Sequence, residues 1–404
     1  MLLFFILVIT ISLVFYSYNH IITENVEKYN YQLTSGVLNG NYDVFMRTLQ
    51  EQMRDKIPNV SFSKEISTGS INNLGVVNKR QSDFSLAQED LFFDSNMNLN
   101  AFKKLKKPYK NLRFVSAAYF EKAHFIVPDN KDNKDNKINS FIDLAKINAS
   151  NSSKKIVIGV GPKKSGSEFN FILMCLLNGI NPGNYDKPEE KRGGKPPSKN
   201  IFYKNLPMNQ MFNDFYSGKN EKKLHGIYLM TGTKNVFIAN LVSRMDVKFI
   251  DLINDNSPLL KTAFKSYFYE KTINLGYYYA EPENQDLVKT IGTRVILFTH
   301  DKTPDNVVYE MVKDIYNKNH IYRYAVNPSE IKYYTTEYEP LELAFCKEEY
   351  TIHPGARKFY MEKNLISSNE RFSNDLGNYH KEVLRNYWKY PTIGEKSFSF
   401  DSII

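Results

Sequence analysis

The 404-residue chain has few of the residues that build metal centres or disulfide frameworks, with two cysteines, seven histidines and one tryptophan. Two cysteines, Cys175 and Cys346, do not define a disulfide framework, although an oxidising compartment leaves a single bridge open. No CxxC pair or His/Cys cluster has zinc-site spacing. The sequence therefore predicts no metal and no cofactor, and Cys175, within an apolar helical pattern, is expected to be a small buried hydrophobe.

The chain also lacks the signatures of nucleic-acid binding, despite a net charge of +9. A basic surface can attract nucleic acid or anionic lipid, or it can be scattered lysines on a solvated surface. Much of the excess charge falls in lysine-rich segments at residues 103–110 and 187–199, and no aromatic-interleaved basic helix accompanies them. The sequence therefore predicts no nucleic-acid partner.

Charge is absent from residues 1–16, MLLFFILVITISLVFY, and Glu24 is the first charged residue. The run is marginal for a membrane span and long for the apolar region of a signal peptide, and no small-x-small cleavage site follows it. Residues 1–22 are therefore predicted to be an uncleaved signal anchor, with a cleaved signal peptide as the alternative. Either segment places the body of the chain in a periplasmic or other extracytoplasmic compartment and contacts the membrane.

After residue 30, strand patterns alternate with amphipathic helical patterns. Such alternation is typical of parallel sheets wound by right-handed crossovers, and the number of strands indicates two sheets. Two polar segments, residues 129–137 and 183–199, are predicted to be insertion loops. The predicted strands cover residues 31–35, 60–66, 84–88, 113–119, 124–127, 155–160, 201–204, 224–230, 247–251 and 293–298.

Four strand-to-helix corners, at residues 36–42, 68–73, 163–168 and 230–233, combine glycine with hydroxyl or amide side chains. Glycine lets a backbone approach a ligand, and free N–H groups at a helix start suit a carboxylate or phosphate. Each corner alone is compatible with ordinary helix capping. Four corners together predict a binding cleft between two sheets. The predicted ligand-binding residues are Gly40, Asn41, Tyr42, Thr68, Ser70, Asn73, Gln88, Lys164, Ser165, Gly166, Ser167 and Thr231.

Lys164 precedes a predicted helix start and has two interpretations. Its ammonium can add a positive charge beside an anionic ligand, which would favour a dianionic acid. Alternatively, it is a solvated loop lysine, since lysines are rarely buried.

Several motifs resemble the TAXI subtype of solute-binding proteins of tripartite ATP-independent periplasmic (TRAP) transporters. The most specific is residues 352–360, IHPGARKFY, which is similar to the C-terminal HPGA signature of that family. The resemblance covers roughly residues 30–365. Further matches are residues 69–74, GSINNL, followed by Asp83, Ala87 and Gln88; residues 308–310, VYE; and Gly36, Gly40 and Tyr42. The chain departs from the family pattern at Asp43, Lys164, Ser167 and Thr351.

The resemblance implies an α/β fold of the type II periplasmic-binding-protein kind, with two lobes, each with a wound sheet, joined by crossing hinge strands. The lobes would comprise residues 30–120 plus 290–404 and residues 121–289. The chain would bind a small anionic metabolite, an organic acid or amino acid, and deliver it to membrane permease subunits of a TRAP-type transporter.

Two other functions are compatible with the same lobes: a membrane-anchored metabolite sensor and an enzyme on a binding-protein scaffold. No nucleophile or acid–base pair is identifiable by spacing, so no catalytic residue is predicted. His353 precedes Pro354 and is expected to pack or cap at a helix start. His124 is expected to be structural or a hydrogen-bond partner at the hinge, and Glu121 is expected to be solvated.

Overall fold

The structure is a computed structural model that describes only part of the chain. The described residues are 10, 12, 29–97, 102, 105, 107–129, 138–150, 155–188, 197–217, 223–233, 235–253, 268–279, 286–326 and 352–366. Most of the predicted N-terminal anchor and of the insertion at 129–137 lies outside these residues, as do residues 189–196 of the second insertion and Cys346. Among the helices that are described, none has the length and apolar character needed to cross a membrane.

Strands and helices alternate through most of the described chain. The strands are β1 Tyr29–Thr34, β2 Val60–Glu65, β3 Phe84–Gln88, β4 Leu112–Pro128, β5 Ile156–Val160, β6 Gly183–Asn184, β7 Ile201–Asn205, β8 Gly226–Thr231, β9 Val247–Phe249, β10 Tyr269–Asn274 and β11 Leu287–His300. The helices are α1 Asn41–Gln52, α2 Ser70–Asn78, α3 Glu89–Met97, α4 Phe141–Ala149, α5 Gly166–Leu177, α6 Met208–Ser217, α7 Val236–Val242, α8 Gly276–Tyr279, α9 Asp305–Asn317, α10 Asn319–Val326 and α11 Pro354–Glu362.

The same strand arrangement occurs twice. In the first half the order is β2-β1-β3-β11, and in the second it is β7-β5-β8-β4. In each set, three strands run parallel and the fourth is an antiparallel strand that crosses from the other half. The predicted α/β fold class, with two wound halves joined by crossing strands, is confirmed. The two halves are not separate sheets, however, because β4 and β11 pair with each other and make all eleven strands one mixed sheet.

The crossing strands β4 and β11 pair with each other over most of their length. Two separate strands were predicted on either side of Phe120, but residues 112–128 form one continuous strand. That prediction was wrong because Glu121 and Lys122 stay in the ladder, where their partners are Thr293 and Gly292. The predicted late strand at residues 293–298 is the central part of β11.

Separate hydrophobic cores form in the two halves. The first contains Leu33 and Phe45 together with Phe298, Val308 and Phe359 from the C-terminal part of the chain. In the second half, one cluster surrounds Phe171 and another surrounds Met211, and strand residues alternate between them. Cys175 belongs to the Phe171 cluster as a buried free thiol, as its apolar helical pattern predicts.

The second predicted insertion loop contains a short strand. Residues 183–199 were predicted as a loop, yet Gly183–Asn184 form the short strand β6 beside β7. A short edge strand is easily missed in a polar segment, because its pairing partner supplies the backbone bonds that the segment itself does not encode.

Candidate functional site

A cavity lies between the two halves, where several strands end and helices begin. Its volume is about 80 Å³. The lining residues are Gly36, Val37, Gly40, Asn41, Tyr42, Thr68, Gly69, Ser70, Gln88, Glu121, Gly161, Pro162, Ser165, Gly166, Ser167, Met208, Leu229, Met230, Thr231 and Asn235. All the predicted ligand-binding residues except Asn73 and Lys164 are among them.

The first-half wall is built by the starts of α1 and α2. Gly69 adopts φ 118°, which favours glycine, directly before α2. Ser70 follows it, is buried, and places its Oγ 2.9 Å from the Tyr42 Oη. The same Oγ accepts a hydrogen bond from the Gln88 N–H at 3.1 Å. This network fixes two hydroxyl groups and the end of β3 at the edge of the cavity.

The second-half wall is the start of α5 and the end of β8. Ser165 caps α5 by accepting from the Glu168 N–H at 3.2 Å, so the capping interpretation holds for this serine. Ser167 Oγ accepts from the Met230 N–H at 2.9 Å and thereby ties α5 to β8. Among the described residues, neither serine hydroxyl has an acceptor for its own hydrogen, so both can donate to a ligand.

The two walls contact each other directly. Thr231 Oγ1 donates to Asn41 Oδ1 at 2.9 Å, and Asn170 Nδ2 donates to Gln88 Oε1 at 2.7 Å. A Cβ on Gly166 would lie 2.2 Å from Gln88 Oε1, so this approach requires glycine at position 166. These contacts close the cleft around the cavity.

Glu121 lies in the cavity wall, and the expectation that it is solvated was wrong. Its exposed fraction is 5% because β4 is continuous through this position and pairs with β11 there. Gln88 Nε2 donates to Glu121 Oε2 at 2.7 Å. Burial raises the pKa of the Glu121 carboxyl to about 8; the Gln88 hydrogen bond opposes this rise, and the nearby Asp90 adds to it.

Asn73 and Lys164 are the predicted site residues that the structure does not bring to the cavity. Asn73 is buried beneath the wall, where its Nδ2 donates to the backbone oxygens of Ser35 and Leu86. Lys164 is exposed with φ 68°, and its backbone N–H donates to Glu168 Oε2 at 2.6 Å. Its position agrees with the solvated-loop interpretation.

Sequence reasoning missed Glu121 and Asn170 as parts of the site. Asn170 is buried one turn into α5, where its Nδ2 also donates to the Gly166 oxygen at 3.0 Å. It therefore orients the Gln88 amide so that Gln88 Nε2 faces Glu121. The alternation of β4 was the available signal for Glu121, and it was lost when the strand was divided at Phe120.

The two histidines considered in the sequence have structural roles. His353 Nδ1 accepts from the Gly355 N–H at 3.2 Å and caps α11, as predicted. His124 lies in β4 with its Nε2 2.8 Å from Tyr278 Oη and its Nδ1 2.9 Å from the Lys122 oxygen. Burial lowers the pKa of His124 to about 3, so this side chain is neutral in the folded protein.

Two wound halves that are joined by crossing strands, with a cavity between them, define the periplasmic-binding-protein fold. The chain matches the sequence profile of the NMT1-like family over residues 42–363, and it belongs to that family. No curated protein matches it in sequence. The TAXI subtype stays a prediction.

Three solved structures illustrate the similarity of the chain to known proteins, each at low sequence identity. Periplasmic binding protein BugD is 13% identical, with a TM-score of 0.44 and coverage of 83% of this chain and 97% of that one. The Candida albicans CA3427 product, described as having the generic periplasmic binding protein fold, is 12% identical, with a TM-score of 0.42 and coverage of 89% and 90%. R. palustris Rpa4515 with adipate is 10% identical, with a TM-score of 0.44 and coverage of 89% and 97%.

Proposed function

We propose that the protein is an extracytoplasmic solute receptor, not an enzyme, that binds a small organic acid or amino acid between two lobes. It then delivers this solute to the permease subunits of a TRAP-type membrane transporter, with its N-terminal segment at the membrane. The observation that carries the proposal is the cavity closed between two walls of helix starts. The TAXI-type motifs support the transporter class.

The lobes in this proposal are residues 30–120 plus 290–404 and residues 121–289. The distribution of hydrophobic cores supports this division. One core joins residues before 120 to residues after 294, and the other two lie between residues 123 and 291. A receptor of this kind opens and closes by bending at the crossing strands, which connect the cores.

The chemistry of the walls suits an acidic solute. The starts of α1, α2 and α5 bring N–H groups and the positive ends of three helix dipoles to the cavity. Glycine at positions 40, 69 and 166 leaves this backbone accessible. The volume of about 80 Å³ suits a ligand with few non-hydrogen atoms.

Gly166→Ala tests the proposed closure. The added Cβ would displace the Gln88 amide and break its bonds to Asn170 and Glu121. The full chain, purified under native conditions, should release a small acid or amino acid that mass spectrometry identifies. Calorimetry with that solute should then show binding weakened about tenfold or more by Gly166→Ala, which corresponds to about 1.4 kcal/mol.

Gly75→Ala is the matched control, because a Cβ there would meet only Tyr109 Oη at 3.8 Å. It should bind the solute as the wild type does. Equal binding by Gly166→Ala and wild type, or release of no small acid or amino acid, would contradict the proposed function.

A further inference from the structure

Glu121 places a carboxyl group in a cavity whose helix starts suit an acidic ligand. Only one of its two carboxyl oxygens has a hydrogen-bond partner among the described residues. Its Oε2 accepts from Gln88 Nε2 at 2.7 Å. Its second carboxylate oxygen, Oε1, has no hydrogen-bond partner among the described residues. The residue is 95% buried and lines the cavity, so this free oxygen is available only to a molecule inside it.

Among the described residues on the Glu121 side of the crossing strands, the titratable neighbours carry no positive charge. On its own strand this neighbour is Tyr119, because the adjacent Lys122 points to the opposite face, and from α1 it is Tyr42. From the start of α3 the Asp90 carboxyl faces it, and β11 contributes the uncharged Thr293 in register. Lysine and arginine are absent from the described residues that line the cavity.

An ionised carboxylate in such surroundings is unfavourable unless a cation or hydrogen-bond donors compensate it. Gln88 supplies one donor, and Asn170 holds the amide of Gln88 in the required orientation. Because none of the described residues that line the cavity is lysine or arginine, a cation that compensates an ionised Glu121 has to come from the occupant.

Helix starts and an acid on the same cavity wall define complementary ends for a ligand. The starts of α1, α2 and α5 favour a negative group. Glu121 favours a positive group that donates hydrogen bonds. A molecule with both an acidic group and a protonated amine satisfies both ends.

We propose that Glu121 accepts a hydrogen bond from the protonated amine of a ligand whose acidic group lies against the helix starts, so that the solute is an amino acid rather than an amine-free organic acid. This inference rests on the proposed function and selects between the two solute classes in it. It assigns Glu121 the role of specificity residue.

Pairing with an ammonium changes the protonation of Glu121. Burial raises the pKa of Glu121 to about 8, so the free receptor holds a proton there at pH 7. Pairing with an ammonium requires the carboxylate, so binding at pH 7 should release about 0.9 proton. Affinity should rise about tenfold from pH 6 to pH 7. If a protonated Glu121 instead donated to a ligand carboxylate, affinity would fall as pH rises.

The test uses matched pairs of probes on the full chain: aspartate with succinate, glutamate with glutarate, and alanine with propionate. Calorimetry at pH 6 and pH 7, in phosphate and in Tris, measures affinity and proton release. At least one amino acid should bind about tenfold or more tightly than its amine-free partner. Glu121→Gln should remove this preference and the proton release.

Glu121→Gln is a suitable variant, since glutamine resembles the protonated acid and its Oε1 can still accept from Gln88 Nε2. Asp90, whose pKa burial raises to about 7, is retained in this variant and contributes to the pH dependence that remains. Tighter binding of amine-free acids, or proton uptake with amino acids, would overturn the inference and leave the proposed function standing. Failure of every probe to bind would overturn both.

Discussion

Glu89 and Glu121 are two buried glutamates at the crossing strands, and their surroundings are opposite. Their exposed fractions are nearly equal, at 7% and 5%. Glu89 contacts Arg294, which pairs in register with Phe120, whereas Glu121 pairs with Thr293. Because neighbouring residues of a strand point to opposite faces, the two glutamates belong to opposite faces of the crossing strands.

On the Glu89 face, charges are compensated by the protein itself. Arg294 Nη1 lies 3.3 Å from Glu89 Oε1, and Arg294 Nη2 donates to Tyr269 Oη at 3.1 Å. The guanidinium also lies 5.5 Å from the ring centroid of Phe120 and 5.3 Å from that of Tyr269. This cluster holds the crossing strands in place.

On the Glu121 face, compensation is incomplete and the free oxygen faces the cavity. The difference shows that burial alone does not separate an acid that the protein compensates from an acid that lines the cavity. What separates them is whether the protein supplies the counter-charge. Three experiments test this distinction, in order of decreasing expected effect.

Arg294→Met should have the largest effect, because it removes the guanidinium that pairs with the buried carboxylate of Glu89. We expect the free energy of unfolding at pH 7 to fall by about 3–5 kcal/mol. Urea unfolding followed by circular dichroism measures it. As a control, Lys313→Met breaks an exposed pair with Glu310, which solvent screens, and should cost less than about 1 kcal/mol. Equal losses in both variants would show that the Glu89 pair is no more structural than a surface pair.

The pH dependence of stability should identify Glu121 on the other face. Its pKa of about 8 lies above that of an unfolded glutamate, so the folded state holds the extra proton and stability falls as pH rises towards 8. Asp90, with its pKa raised to about 7, also makes stability fall as pH rises towards 7. His124, with its pKa lowered to about 3, raises stability only up to about pH 6.5.

Between pH 6.5 and pH 8, the ligand-free wild type should therefore lose stability with rising pH. Glu121→Gln should reduce this slope by at most about 1.4 kcal/mol per pH unit. Urea midpoints at half-unit intervals provide the measurement. A slope that is the same in wild type and variant would show that Glu121 is already ionised in the ligand-free protein.

The sequence predicted the strand-to-helix corners that line the cavity, because local chemistry determines where helices start. Glycine and serine before an apolar helical stripe predicted the starts of α2 and α5, and β3 has the predicted bounds. The alternation of strands and helices then places these corners at one edge of each sheet, and the structure brings them together.

The roles of charged residues could not be predicted in the same way. The pattern around residues 120–122 is polar enough to suggest an interruption, and only the pairing with β11 shows that Glu121 is inside. For Lys164 the difference is the opposite: a predicted ligand contact is exposed to solvent. Its position before a helix start suggested a ligand contact, but its exposure depends on a left-handed loop conformation that the sequence did not reveal.

Tyr269→Phe should give the smallest effect and test whether the two faces act independently. The Tyr269 hydroxyl accepts from Arg294 and donates to Glu89 Oε2 at 3.3 Å, whereas the ring would remain over the guanidinium. Losing this hydroxyl should lower the free energy of unfolding by about 1 kcal/mol, and Tyr216→Phe, at an exposed tyrosine, should change nothing. If the faces are independent, the double variant with Glu121→Gln should be additive within about 0.5 kcal/mol in urea unfolding. A larger departure from additivity would mean that the compensated cluster also controls the acid in the cavity, and that the two faces form one network.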